Sequence, residues 1–482
     1  MSKNENIVKF MLDNKVVEID FEKDNISPTT TVLKYLRKTP EHKGVKEGCG
    51  EGDCGACTVV IADYDSHSKL HYKAYTSCLI FLPSIHGKQI ITVEGVGSSD
   101  NMHPVQSALV ETDGSQCGYC TPGFTMSMFA LYKEYQKPSK DVILDALTGN
   151  LCRCTGYRPI IEAAEKSCVR NGKDHFSDNE NATVETLKKI RKEIPSVKIE
   201  TKKQKYFLPA TVKEALELKM KYPKAIIING GTDVALRVTK KKELLSEIID
   251  LTGILELKYA KDEQNQMVFG SGICLEDVRV IVKNEFSALY DMLSIFGSKQ
   301  VRNRATFGGS LGSASPIGDT APVLMAYDAI LVLESLQGTR EIQSREFVTG
   351  YRQTQMKENE LIVAVKIPKI DKSEIVKSYK ISKRKDLDIS TVSSGFRLKK
   401  SAKNIVEEIC LVYGGMAATT SRSKQAEAFL LGKEWTRENI EKAMKLVDED
   451  FTPISDARSG AEARKIMARN LLLKFYNDSI CN

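Results

Sequence analysis

Eight of the twelve cysteines fall between residues 49 and 154, in two sets with different spacing. The first set has the C-x4-C-x2-C…C spacing of plant-type [2Fe–2S] sites. The second set, C-x2-C followed later by C-x-C, supplies four more thiolates. The first set is Cys49, Cys54, Cys57 and Cys78, and the second is Cys117, Cys120, Cys152 and Cys154.

Three cysteines of the first set lie in a glycine-rich loop that contains Gly48, Gly50, Gly52 and Gly55, and the fourth, Cys78, is distant in sequence. A [2Fe–2S] cluster is wrapped by backbone whose N–H groups point at its sulfurs, and glycine permits that close approach. Four thiolates also suit tetrahedral Zn²⁺, although zinc usually takes two C-x2-C knuckles. The spacing therefore favours iron–sulfur chemistry over zinc.

The second set is less specific when it is taken alone. C-x2-C…C-x-C also fits a zinc site or a redox-active pair. Because it follows a plant-type set and is surrounded by helical sequence, a second cluster is the simplest interpretation. Two clusters in series require an electron donor and an electron acceptor.

Two further glycine-rich stretches, 229–233 and 308–313, could bind one of these redox partners. Backbone amides and the hydroxyls of Thr232, Ser310, Ser313 and Ser315 suit a pyrophosphate. Neither stretch is G-x-G-x-x-G, so a Rossmann fold is not supported, and both could be tight turns without a ligand. Beside iron–sulfur sites they favour a flavin dinucleotide, because flavin exchanges single electrons with clusters and hydride with NAD.

The composition is that of an ordinary globular protein, with 41% hydrophobic and 28% charged residues. A formal charge of +7 on scattered lysines implies neither a nucleic-acid nor a membrane surface. The N-terminus lacks a signal-peptide pattern, and no stretch approaches the roughly 18 to 20 apolar residues of a membrane helix. We therefore expect a cytoplasmic chain, in which reduced cysteines favour metal ligation over disulfides.

Apolar runs around Asp13-Asn14 predict a hairpin over 7–20, and 31–38 has helical spacing before the cysteine loop. From Pro104 the pattern becomes helical, and both halves of the second cysteine set follow helices. Residues 171–203 are polar and charged, which is typical of a linker, with one short helix-like patch around Leu187 and Ile190. Alternating strand and helix patterns then continue from near Tyr206.

Four motifs resemble those of the molybdenum hydroxylases, the xanthine dehydrogenase and aldehyde oxidase family. They are Glu47-Gly-Cys-Gly-Glu-Gly-Asp-Cys-Gly-Ala-Cys-Thr58, Gln116-Cys-Gly-Tyr-Cys-Thr-Pro-Gly123, Cys152-Arg-Cys-Thr-Gly-Tyr-Arg-Pro159 and Gly308-Gly…Ala-Ser-Pro-Ile-Gly-Asp319. The resemblance covers nearly the whole chain. The fusion of cluster and flavin domains on one chain favours the xanthine dehydrogenase branch.

The resemblance implies a multidomain α+β fold. The expected parts are a plant-type ferredoxin-like (β-grasp) domain over 1–96, a four-helix [2Fe–2S] domain over 97–170, a linker over 171–203, a two-part α/β FAD-binding domain over 204–371 and a C-terminal α/β flavoprotein domain over 372–482.

By the same resemblance, the first cysteine set holds the cluster nearer FAD. The second set holds the cluster nearer molybdenum, with Gln116 and Cys154 facing the pterin. An aromatic ring at Phe296 is expected beside the isoalloxazine, and Asp319 is expected to hydrogen-bond the cofactor. Ser310 departs from the Asn of many relatives. The expected FAD contacts are Ile228, Asn229, Gly230, Gly231, Thr232, Asp233, Val234, Phe296, Gly308, Gly309, Ser310, Ser313, Ser315, Asp319, Ile362 and Lys380.

The resemblance also implies a large molybdopterin-binding partner subunit in a heteromeric complex, because the family's molybdopterin domains are not found in this sequence. The surface near 117–154 is the expected contact. NAD⁺ is the expected electron acceptor, and the basic loop 383–388 lies where relatives control NAD access. Other readings are an aldehyde, nicotinate or other N-heterocycle hydroxylase, a zinc-bound assembly scaffold, or a free-standing NADH oxidoreductase.

Overall fold

The computed structural model describes residues 5–169 and 174–480. These described residues form two compact units, one within Met1–Ile254 and Gly297–Ala305, the other within Leu255–Phe296 and Thr306–Asn482. The predicted domain limits at 1, 170, 171 and 482 lie outside the described residues. In the part of the chain that is described, no helix is long and apolar enough to cross a membrane.

The first unit begins with the predicted ferredoxin-like domain, and this fold is confirmed. A hairpin turns at Asp13, whose φ of 51° is the left-handed conformation that a tight turn requires. The first strand also pairs in parallel with a strand near residue 90, as the β-grasp topology demands. The helix Val32–Lys38 starts at Thr31, whose side chain accepts from the Lys34 N–H. In order across the sheet, the strands are Lys15–Asp20, Ile7–Leu12, Gln89–Ile91, Thr58–Tyr64 and Leu70–Thr76.

The helical domain packs directly on this sheet. Tyr72 of the sheet and Phe129 of a helix make an edge-to-face contact, with ring centroids 6.1 Å apart. Phe124, Met128 and Leu131 are buried, as helical spacing predicts. The helices are Val93–Val96, Pro104–Glu111, Thr121–Glu134, Lys140–Leu147 and Arg158–Val169.

The predicted linker is more ordered than its composition indicates. Its described part contains the helix Glu180–Glu193, which buries Val184, Leu187 and Ile190. Lys9 pairs with Glu193 at 2.7 Å, so both charge and apolar contacts fix this helix to the first unit. The sequence signal was weak because the charged face of the helix dominates its composition.

A mixed sheet completes most of the first unit. Its strand Val197–Glu200 precedes the predicted boundary at 204 and pairs with Lys205–Leu208. Tyr206 and Ile248 share one hydrophobic cluster with Phe10 of the ferredoxin-like sheet. In sheet order, the strands are Val197–Glu200, Lys205–Leu208, Glu247–Asp250 and Ile226–Ile228, and the helices of this part are Val212–Lys221, Val234–Thr239 and Lys299–Arg302.

The second unit contains an antiparallel sheet flanked by helices. In sheet order, its strands are Ala260–Glu263, Gln266–Gly270, Leu361–Pro368, Ile330–Ser335 and Gly338–Gln343, with a separate pair Val348–Gly350 and Gln353–Thr354. The helices are Leu275–Val282, Ser287–Ser294, Phe307–Gly312, Thr320–Ala326 and Ser344–Phe347.

The C-terminal part of the second unit is a meander covered by helices. Its core is centred on Trp435, which is 1% exposed and donates from its indole N–H to Ser479 Oγ at 2.8 Å. The strands are Glu374–Ile381, Val392–Lys400, Val406–Gly414 and Ser421–Arg422, and the helices are Lys424–Leu430, Arg437–Asp450 and Ala461–Ile480.

Candidate functional site

The first cysteine set is gathered between the 49–57 loop and the end of the Leu70–Thr76 strand. The sulfurs of Cys57 and Cys78 lie 3.4 Å apart and are buried. The backbone N–H groups of Glu51 and Cys54 each donate to Cys49 Sγ at 3.4 Å. Such N–H···S contacts stabilise a thiolate, and they are the contacts that tune an iron–sulfur cluster.

The thiols of this set are hydrogen-bonded in pairs. A hydrogen bond from the Cys54 thiol lowers the pKa of Cys49, and the same contact raises the pKa of Cys54. The pKa of Cys57 is lowered by the Cys78 thiol, whose own pKa is raised. A metal centre binds thiolates by replacing these protons, so the donor set fits metal ligation.

The second set has the same pairing but lies nearer to solvent. Cys117 and Cys154 are exposed. The Tyr119 N–H and the Cys154 thiol lower the pKa of Cys117. Burial opposes ionisation of Cys152, but hydrogen bonds from Thr155 and Cys154 outweigh it and lower the pKa of Cys152 to about 7.

The first loop is shaped around its sulfurs. A Cβ at Gly48 would lie 2.7 Å from Cys54 Sγ, and Gly55, at φ +69°, would place a Cβ 2.2 Å from the Gly149 carbonyl oxygen. Within 5–169 and 174–480, no group of three or more His, Cys, Asp or Glu side chains converges as a single-ion site would require. The pairwise arrangement and the glycine cradle fit a cluster held by thiolates from both sides.

In the first unit, the predicted flavin segment Ile228–Val234 begins at the last residue of the short strand Ile226–Ile228. Gly230 has φ +94°, and a Cβ there would lie 2.4 Å from the Arg304 carbonyl oxygen. The Arg304 guanidinium donates back to the Gly230 carbonyl at 2.6 Å. Arg304 thus fixes the turn that glycine makes possible, and sequence reasoning missed it because no motif contains it.

In the second unit, the stretch 308–313 is the helix Phe307–Gly312 and its cap rather than an open loop. Thr306 Oγ1 accepts from the Gly309 N–H at 3.0 Å, and the Gly308 N–H donates to the Ser271 carbonyl at 3.0 Å. The backbone N–H groups of these two glycines are therefore hydrogen-bonded within the chain, and the expected flavin contact of the segment stays a prediction. Hydroxyl groups remain the polar groups of this segment, and Ser310 Oγ lies 2.7 Å from Thr320 Oγ1.

Several other predicted flavin residues meet in the second unit. Lys380 Nζ lies 2.8 Å from Asp319 Oδ2 and 3.3 Å from the carbonyl oxygen of Ile295, the residue that precedes Phe296 in the chain. Both charged side chains are almost completely buried, at 2% and 7% exposure. Ser390, which sequence reasoning missed, donates to the other Asp319 carboxylate oxygen. Ile362 is buried on the strand Leu361–Pro368, and its side chain lies 3.8 Å from where a Cβ of Gly312 would be.

Comparison with known proteins gives matches along the chain. Residues 16–82 match the 2Fe-2S iron-sulfur cluster binding domain, and 92–165 match the [2Fe-2S] binding domain. Residues 199–370 match the FAD binding domain in molybdopterin dehydrogenase, and 377–479 match the CO dehydrogenase flavoprotein C-terminal domain. Two [2Fe–2S]-binding domains and an FAD-binding domain are therefore present on this chain.

Whole-chain relatives agree with these matches. The chain is 32% identical to xanthine dehydrogenase of Emericella nidulans, over 98% of this chain and 38% of the relative. It is 31% identical to aldehyde oxidase of Homo sapiens, over 99% of this chain and 39% of the relative. The chain thus spans about two fifths of the length of these curated relatives.

A solved structure shares part of the fold. Carbon monoxide dehydrogenase from Hydrogenophaga pseudoflava, described as lacking the Mo-pyranopterin moiety of the molybdenum cofactor, is 26% identical with a TM-score of 0.53. The alignment covers 55% of this chain and 93% of that chain.

The fold and the matched domains define a chain with iron–sulfur-binding and FAD-binding domains. Because two of the matched models describe domains of molybdopterin dehydrogenase and CO dehydrogenase, the chain is similar in composition and order to the iron–sulfur and FAD parts of molybdenum hydroxylases.

Proposed function

We propose that this chain is the iron–sulfur and FAD subunit of a xanthine dehydrogenase, which takes electrons from a molybdopterin-binding partner and delivers them to NAD⁺. The observation that carries the proposal is the gathering of both cysteine sets as thiol pairs within one unit. The predicted flavin contacts and the relatives support it further.

The proposed ligands are the eight cysteines of the two sets. When bound, [2Fe–2S] clusters exchange single electrons and FAD links them to two-electron hydride chemistry. The chain's own residues hold the thiolates, donate N–H groups to Cys49 and Cys152, and exclude water from Cys57 and Cys78. The Asp319–Lys380 pair would supply fixed charge beside FAD.

The proposed partner surface surrounds the exposed second set. Met102, Val110 and Tyr119 are 43%, 64% and 48% exposed, which makes this face more apolar than an ordinary surface. A groove of about 630 Å³ runs beside it, lined by residues that include Met102, Val110 and Pro122. Apolar side chains around an exposed redox site suit a partner that brings its own redox centre close.

The basic loop 383–388 is the proposed NAD⁺ contact. Lys383, Arg384 and Lys385 are exposed, and Arg384 pairs with Asp388 at 3.2 Å. We expect K385E to raise the KM for NAD⁺ several-fold in the purified complex, because it reverses a charge beside the dinucleotide phosphates. K403E, an equally exposed lysine of the same domain, should leave the KM unchanged. An unchanged KM for NAD⁺ in the double variant K383E/K385E would refute this contact.

Substrate choice belongs to the partner, and the same electron-transfer role could serve another molybdenum hydroxylase. Aldehyde oxidase of Homo sapiens matches almost as well as the xanthine enzyme of Emericella nidulans, so aldehydes, nicotinate and other N-heterocycles are the alternative substrates. The cytoplasmic location expected from the sequence stays a prediction.

The decisive experiment is isolation of the chain from its native cell with its bound partner. Xanthine-dependent NAD⁺ reduction, flavin absorbance and about four irons per chain would support the proposal. Aldehyde or nicotinate activity without xanthine activity would favour the alternative. A colourless zinc protein would refute the electron-transfer role, and a chain with iron and flavin but without a molybdenum partner would favour a free-standing NADH oxidoreductase.

A further inference from the structure

The backbone of the first cysteine loop is bonded directly to the loop of the second set. The Leu151 N–H donates to the Cys54 carbonyl oxygen at 3.0 Å. Leu151 immediately precedes Cys152, so one hydrogen bond and one residue separate a cysteine of one set from a cysteine of the other. The relative position of the two sets therefore depends on this contact.

A second contact ties the opposite end of the first loop to the other half of the second set. The Tyr119 hydroxyl donates to the Glu47 carbonyl oxygen at 2.8 Å. Tyr119 lies within the Cys117-Gly-Tyr-Cys120 turn, and Glu47 lies two residues before Cys49. Two contacts at separate points resist rotation of one loop against the other, which a single contact would allow.

Asn150 is the centre of the first contact. Its amide Nδ2 donates to the Gly55 carbonyl at 3.1 Å and to Thr58 Oγ1 at 3.2 Å. Its Oδ1 accepts from Ser127 Oγ at 2.6 Å and from Gln300 Nε2 at 3.1 Å. Asn150 is 3% exposed, so all of these contacts form without competition from water.

Two glycines bring the surrounding segments into close contact with these loops. A Cβ at Gly123 would lie 2.3 Å from the Gly55 carbonyl oxygen, and one at Gly149 would lie 2.0 Å from Gln300 Oε1. The loop that precedes Cys152 is thus held between the first cysteine loop and Gln300. Packing on both sides therefore fixes the orientation of the Asn150 side-chain amide.

We propose that Asn150 and Tyr119 are positioning residues that fix the distance and orientation between the two iron–sulfur centres. This inference rests on the proposed function, because it takes the two cysteine sets as cluster ligands. Asn150 acts by holding the 149–152 loop against Cys54 and Gly55, and Tyr119 acts by holding the 117–120 turn against Glu47. Electron exchange between centres depends on their separation, so this geometry is a functional property of the chain.

The test measures the magnetic interaction between the two reduced clusters by low-temperature electron paramagnetic resonance of the purified complex. The variants are N150D, N150A and Y119F. N150D keeps the side-chain acceptor oxygen and loses the N–H donors. The splitting caused by this interaction should change in each variant, most strongly at residue 150, while the iron content stays at the wild-type level.

Y157F is the matched control. Tyr157 is also partly exposed beside the second set, but its hydroxyl accepts from the Cys152 N–H at 3.0 Å and does not bridge the two loops. This variant should alter the spectrum of its own cluster at most and leave the splitting between clusters unchanged.

The outcomes separate the two proposals. A wild-type complex without two cluster signals overturns the proposed function and this inference together. Two signals with wild-type splitting in N150D and Y119F, or with no resolved interaction in the wild type, overturn only the positioning role. If the residue 150 variants do not fold, Y119F decides, because it removes one hydroxyl from a half-exposed side chain.

Discussion

Asp319 and Lys380 form an ion pair that solvent hardly reaches. Removing one partner of such a pair leaves an uncompensated buried charge, whereas neutralising both partners removes the need for compensation. The Asp319 carboxylate also accepts from Ser390, so its two oxygens are both engaged in the folded chain. This site is therefore sensitive to which partner is replaced.

We expect K380M to destabilise the second unit by about 3–5 kcal/mol, because Asp319 keeps its charge without its counter-ion. The double variant D319N/K380M should recover part of that loss. Denaturant unfolding followed by Trp435 fluorescence measures both, since Trp435 is buried in the same unit. A double variant less stable than K380M would contradict the ion-pair argument.

His86 gives the first unit a defined acid sensitivity. Its Nδ1 accepts from the Lys9 N–H at 3.1 Å, and its Nε2 lies 2.9 Å from the Ile194 carbonyl, which requires a neutral ring with the proton on Nε2. Burial lowers the pKa of His86 to about 4. The unfolded chain therefore binds a proton at higher pH than the folded chain does.

The stability contributed by neutral His86 is present above about pH 6.5 and is lost as the pH falls toward 4, with a total of about 3 kcal/mol. We expect H86Q to flatten this part of the stability profile, because glutamine has no proton to gain. Thermal midpoints of the wild type and H86Q between pH 7 and pH 4.5 measure the difference. Parallel profiles would show that other groups cause the acid sensitivity.

The helix Glu180–Glu193 is difficult to recognise from the sequence, because the residues of its exposed face dominate the composition. Leu187 is fully buried, although ten of the 14 residues of this helix are charged or polar. Such a composition is typical of a linker, which is what the sequence predicted here. Only the spacing of Val184, Leu187 and Ile190 indicates the buried side. An apolar stripe of this width is easily missed when charge content is used to recognise linkers.

We expect L187A to destabilise the first unit by about 2–5 kcal/mol, the cost of deleting a buried leucine side chain. A true linker would tolerate this change. K189A on the exposed face of the same helix is the control and should be neutral within about 0.5 kcal/mol. Calorimetry of the two variants distinguishes a packed helix from a spacer.

Much of the architecture could be predicted from the sequence, because the hairpin, the cysteine loops and the helix starts are set by local signals. The Asp13 turn and the Thr31 cap are examples in which one residue type determines the backbone. The contacts of Asn150, Arg304 and Ser390 could not be predicted in this way. Each joins segments distant in the chain, and a lone polar residue carries no signal for its partner.

At the scale of the whole molecule, the chain's single tryptophan reports on one unit only. Trp435 lies in the second unit, and its ring meets Phe475 edge to face with centroids 5.8 Å apart. The cysteine sets lie in the first unit. Tryptophan fluorescence therefore reports on the second unit, and iron–sulfur absorbance reports on the first unit.

We expect thermal unfolding of the loaded chain to give different midpoints by tryptophan fluorescence and by the iron–sulfur part of the visible absorbance, because each unit has its own core. L187A should lower the absorbance midpoint and leave the fluorescence midpoint within a degree or two of the wild type. Coincident midpoints that move together in L187A would show that the units unfold as one.

The path of the chain between the units restricts how the molecule can be divided. The polypeptide leaves the first unit after Ile254, returns for Gly297–Ala305 and leaves again before Thr306. A protease that cuts once between the units would leave them covalently joined at the other crossings. A fusion or exchange made at one of these crossings alone would for the same reason carry over a unit that lacks one of its segments, so both units have to be transferred together to stay complete.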